Sequence, residues 1–152
     1  FMIIATSIIV RFGMKKALIF GLVALVARYS SFYFGVVFSQ DLFHILGVAV
    51  HGIIFGLFYV GGQVYTDQKA PKELKAQAQG LLAFVVWGVG LFFGILLNGW
   101  LIDYFSGNKD GILSYNWESI FVITILFSTL LLILFMVFFR NENRLKNAIR
   151  DK

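Results

Sequence analysis

Apolar residues run nearly unbroken over four stretches of the chain, 17–37, 42–65, 80–102 and 120–139. Each approaches or exceeds the roughly 20 residues that a helix needs to cross the hydrocarbon core of a bilayer. Polar residues are gathered into the breaks between them. Ser39, Gln40 and Asp41 close the first stretch, and the second ends at "TDQKAPKELKAQAQ", where Pro71 blocks simple continuation of a helix. Residues 72–79 are good helix formers and are expected to lie along the membrane surface ahead of the third span. The segment "DYFSGNKDGILSYNWES" is rich in turn residues and reads as a loop before the fourth. At the start of the chain, "FMIIATSIIV" is apolar for half a span and ends at Arg11. A signal peptide carries its positive charge before the apolar core, not after it. Residues 1–10 therefore read as the tail of a longer helix, and the chain as the C-terminal fragment of a larger protein.

Composition agrees with this pattern. Of 152 residues, 59% are hydrophobic and 14% charged, too few charges to cover a soluble domain of this size. The expected fold class is all-α, a polytopic membrane helix bundle. The absence of cysteine excludes disulfides, iron–sulfur clusters and thiolate zinc sites. A net charge of +5 does not point to nucleic acid, because the positive residues sit in short loops. Arg11, Lys15 and Lys16 precede the first full span; Lys69, Lys72 and Lys75 lie between the second and third. Arg140, Arg144, Lys146, Arg150 and Lys152 fill the tail, 140–152. Only Lys109 falls in a loop on the other side, and only Arg28 within a span. The positive-inside rule makes the basic loops and the C-terminus cytoplasmic, in a cell membrane. Trp100, Tyr104, Tyr115 and Trp117 then form an aromatic belt at the outer boundary.

Few strongly polar residues remain inside the spans. Arg28 lies roughly 16 Å from the cytoplasmic end of its helix at 1.5 Å per residue. A charge at that depth costs about 2.5–3.5 kcal/mol on insertion scales, so Arg28 is expected to face a protein or water interior and to have a partner. His51 lies roughly 21 Å from the same side, on a helix running the other way. His51, Phe55, Tyr59 and Gln63 recur every four residues and share one face, suited to a ring-bearing solute that stacks on Phe55 or Tyr59 and hydrogen-bonds to His51. The competing reading is ordinary aromatic packing, with His51 satisfied by a carbonyl. His44 reads as interfacial. At about 10 Å along the helix from His51, it cannot share a metal with it. No metal set, cofactor motif or catalytic constellation is present. Glycines four apart, Gly52/Gly56 and Gly90/Gly94, predict close helix packing on the second and third spans. The fourth span has none and is expected to face lipid.

Some of these residues also carry a resemblance. "VRFGMKKALIFG" resembles the loop between helices 8 and 9 of major facilitator transporters. "HGIIFGLFYVGGQVYTDQKAPKELKAQAQGLLAF" is more specific, and resembles the nucleoside–proton symporter family from helix 10 into helix 11. "YNWESIFVI" resembles the start of that family's helix 12. The resemblance implies part of the C-terminal half of a major facilitator fold: 1–10 the truncated helix 8, 17–37 helix 9, 42–65 helix 10, 80–102 helix 11 and 120–139 helix 12. It places the nucleoside site partly at His51, Phe55 and Gly56, where Gly56 stands in place of the family's aspartate. Arg28 and His51 also fall where lactose-type proton symporters carry a helix 9 arginine and a helix 10 histidine.

The function expected from residues and resemblance together is proton-coupled nucleoside uptake by alternating access. Substrate contacts are expected at His51, Phe55, Gly56 and Tyr59, and a charge network at Arg28 and His51. The implied partners are a nucleoside or related small polar solute, protons, the lipid bilayer and the remaining helices of the same transporter. The alternatives are a sugar or other small-polar-solute symporter of the same fold, and a non-transporting membrane interaction protein. An enzyme is not expected.

Overall fold

The computed structural model describes residues 8–9, 11–109 and 112–139. The expected tail of helix 8 lies mostly outside the described residues, and the basic tail, 140–152, wholly so.

Four helices dominate. Helix α1 spans Met14–Phe38, α2 Asp41–Lys69, α3 Lys72–Tyr104 and α4 Trp117–Phe138, each long and apolar enough to cross a membrane. All run past the apolar stretches, because capping residues rather than hydropathy set their ends. Gly13 precedes α1 with φ of 86°, a torsion that other residues rarely adopt, and so breaks the chain between Phe12 and Met14. Ser39 closes α1 in a left-handed conformation, its N–H returning to Val36. Ala70 is extended, as the residue before a proline tends to be, and ends α2. Asn116 caps α4, its Oδ1 accepting the Ser119 N–H at 3.1 Å.

Two expectations are revised at the α2–α3 turn and beyond α3. Residues 72–79 do not form a separate surface helix. Pro71 stands just ahead of α3, where no N–H is needed, and a 3₁₀ turn at Lys72–Leu74 runs directly into the long helix. The turn-rich loop is a β-hairpin, β1 (Ser106–Lys109) paired antiparallel with β2 (Ile112–Tyr115). The dipeptide Asp110-Gly111 between the strands is the sequence signal for it.

Helix α1 is central, with α2 and α4 against it and α3 packed mainly on α2. The buried residues concentrate there: Met14, Ala17, Leu18 and Leu22 of α1, Leu57 of α2 and Ile120 of α4. Helix α4 is thus not simply lipid-facing. Ile120 and Ser128 are buried, and Phe121 meets Phe32 of α1 with ring centroids 5.7 Å apart. The most apolar window of α3 has no buried residue. Glycine contacts bring α1 and α2 together at Gly21, Gly35 and Gly47, and Gly56 of the expected set is buried. A Cβ at Gly21 would meet the backbone N of Phe58 at 3.2 Å, and one at Gly35 the His44 ring at 2.5 Å. One at Gly47 would meet the Phe32 ring. A Cβ at Gly94 would meet nothing. His44, read as interfacial, sits within this contact, stacked on Phe32 at 6.2 Å.

The start of α1, the end of α2, the start of α3 and the end of α4 lie at one end of the bundle. Lys15 there donates to the Met136 carbonyl at 3.3 Å, satisfying an end group of α4. Lys75 pairs with Asp67 at 2.7 Å and Gln79 donates to the Gln63 carbonyl at 2.7 Å, tying α3 to α2.

Candidate functional site

Near the middle of α1, Arg28 Nη1 lies 3.0 Å from Nδ1 of His51 on α2. A guanidinium only donates, so Nδ1 is the acceptor and the His51 proton sits on Nε2. The ring is therefore neutral in this arrangement. The guanidinium carbon also lies 5.6 Å from the Tyr29 ring centroid and 5.3 Å from that of Phe32. Such contacts are worth about 2 kcal/mol when desolvated, so aromatic faces offset part of the cost of the charge. Arg28 Nε is buried and has no partner among the described residues. The histidine and the two rings therefore do not use all of its donors.

One turn beyond His51, α2 changes character. Phe55–Val60 is π-helical, a form that recurs as single wide turns at functional sites. Side chains four apart drift by about 40° per step on a regular helix, and a wider turn reverses that drift. Phe55 and Tyr59 are thereby held together, with centroids 5.1 Å apart. Phe55 is 38% exposed. Gly56 is buried and, lacking a side chain, presents only backbone. Gln63, on the same expected face, uses its carbonyl to hold α3.

Helix α3 has a π segment of its own, Phe84–Gly90, and it carries Trp87 into the same cluster. The Trp87 ring lies 5.3 Å from Tyr59 and 6.4 Å from Phe55. Trp87, Tyr29 and Phe32 were not expected in the site. A tryptophan inside a span rather than at a membrane boundary is a signal for the first. The other two are visible only once helix packing is known. A cleft of 590 Å³ opens at the hairpin end, lined by Tyr104, Ser114, Asn116 and Glu118 among others. None of the expected site residues lines it.

The family model described as "Nucleoside H+ symporter" matches residues 1–144. The chain belongs to the nucleoside–proton symporter family. Within that family of transporters it is 31% identical over 147 residues to the "Putative nucleoside transporter YegT" of Escherichia coli, covering 92% of this chain and 34% of the relative. It is 30% identical to the xanthosine permease of the same organism, covering 86% and 30%. To the nucleoside permease NupG of Escherichia coli it is 26% identical, covering 88% and 31%. A crystal structure of the nucleoside transporter NupG superposes with a TM-score of 0.78, covering 90% of this chain and 33% of that one at 23% identity. That likeness gives the fold, part of a polytopic helical bundle. The chain thus spans about a third of the length of these relatives and is a multi-pass membrane protein.

Proposed function

We propose that this chain is the C-terminal part of a proton-coupled nucleoside uptake transporter working by alternating access, with its basic end and C-terminus in the cytoplasm of the cell. The chain would then hold the end of helix 8 and helices 9 to 12. The observation that carries this reading is the Arg28–His51 hydrogen bond in the middle of the bundle, one turn from the rings of Phe55 and Tyr59. Family membership and relatives named for nucleosides and xanthosine support the solute class.

In the proposed mechanism, Phe55 and Tyr59 offer faces to the base and His51 Nε2–H donates to the solute. Gly56 leaves room for close approach of the backbone. Proton coupling enters through the pair. A proton taken up on His51 Nδ1 makes both ring nitrogens donors, and the bond from Arg28 can no longer form. The terminal nitrogens of Arg28 are then free for a carboxylate on the remaining helices. Solute contact and charge rearrangement thus share one residue.

The test is uptake of radiolabelled uridine by cells carrying the full-length transporter, at acidic and at mildly alkaline pH, with and without a protonophore. Uptake that is higher at acidic pH and collapses with the protonophore is the expected result. No uridine uptake, with the protein present in the membrane, would sink the nucleoside reading and turn attention to sugars.

A further inference from the structure

The ring of Trp87 lies between two environments that do not account for it. Counted within the apolar stretch 80–102, it lies roughly 10 Å from one boundary and roughly 22 Å from the other, inside the span rather than in the interfacial belt where tryptophans usually anchor. The side chain is 51% exposed, and its indole N–H donates no hydrogen bond among the described residues. A polar N–H at membrane depth ordinarily finds a partner. The residue also sits on the π segment of α3, and its ring meets those of Phe55 and Tyr59 on the π segment of α2.

We propose that Trp87 is a specificity-determining residue that positions the nucleobase, an inference that rests on the nucleoside reading above. Centroid separations of 5.1 Å and 5.3 Å leave no gap for a base between the three rings. The base stacks instead on the exposed side of Phe55, with the edge of Trp87 beside it. Ring faces alone would accept any aromatic solute. The spare indole donor adds a requirement for an acceptor at the edge of the ring, which nucleobase carbonyl oxygens and ring nitrogens supply and a hydrocarbon ring does not. Helix α3 thereby contributes to a site otherwise built on α2, and base contact is coupled to the spacing of the two helices.

The experiment is uridine and adenosine uptake by the full-length transporter and its Trp87→Phe and Trp87→Ala variants, with KM and Vmax measured per transporter in the membrane. Losing the ring together with its donor is expected to raise KM on the order of tenfold in Trp87→Ala, while Vmax stays within about twofold. Trp87→Phe keeps the ring and loses the donor, and a smaller rise that differs between the two nucleosides is expected. If Trp87→Ala does not reach the membrane, Trp87→Phe decides alone. Unchanged KM values for both nucleosides, with losses only in amount or Vmax, would overturn the assignment and leave Trp87 as packing. Absence of uptake by the unsubstituted protein would instead overturn the nucleoside reading, and this inference with it.

Discussion

Arg28 is held by two kinds of contact, a histidine acceptor and two aromatic faces, and its buried Nε has no partner among the described residues. A side chain kept only for packing would tolerate loss of its charge. Arg28→Met is therefore expected to abolish most transport, more than about tenfold, while leaving the amount in the membrane unchanged; full uptake in that variant would assign Arg28 to packing. Gly56 offers the converse experiment. It stands where the family resemblance puts an aspartate, next to Phe55, and Gly56→Asp is expected to raise nucleoside uptake. An unaltered rate in a well-expressed variant would remove Gly56 from the site. At this scale the sequence announced Arg28 and His51 by their cost in a bilayer. Their 3.0 Å contact was not legible, because they are 23 residues apart and meet only through the packing of α1 on α2.

Helix against helix, α1 and α2 meet at glycines on both surfaces, Gly21 and Gly35 on one and Gly47 on the other. At Gly21 the obstacle is the backbone of Phe58 and the Cβ of Leu57, which cannot swing aside. Gly21→Val is expected to destabilise the detergent-solubilised protein by about 1–3 kcal/mol, read as a lower melting temperature. The Lys75–Asp67 pair is a contrasting case. Its side chains are 40% and 51% exposed, so Lys75→Ala is expected to cost only about 0–1 kcal/mol. A large loss there would show that the pair does more than trim the turn. The helices themselves were legible as apolar runs, and Pro71 marked the end of the second, but the other ends were not. Asn116, Gly13 and the Ala70-Pro71 step act through local torsions and caps that hydropathy does not register. Both π segments were likewise hidden, since nothing in "FGLFYV" or "FVVWGVG" marks an extra residue in a turn.

Across the whole molecule, the basic residues of three helix ends lie together at one end of the bundle and the Trp100, Tyr104, Tyr115 and Trp117 belt at the other. With the positive-inside rule this predicts orientation. A reporter that works only in the cytoplasm should be active when fused at the C-terminus and silent when inserted in the β1–β2 hairpin, and the reverse pattern would refute the proposed topology. The exposed apolar surface of α3 has the same logic, for lipid and further helices are the surroundings in which such a face is stable.

The sequence by itself determined that the chain crosses a membrane as helices, which loops are basic, and which polar residues stand inside the spans. These follow from transfer free energies, which add along the chain and need no knowledge of neighbours. Only the tertiary structure decided which glycines are interfaces, that α4 packs on α1, and that Arg28 joins His51 beside a ring cluster completed by Trp87. Those are outcomes of packing between distant segments, where helix rotation and a single wide turn choose which side chains meet.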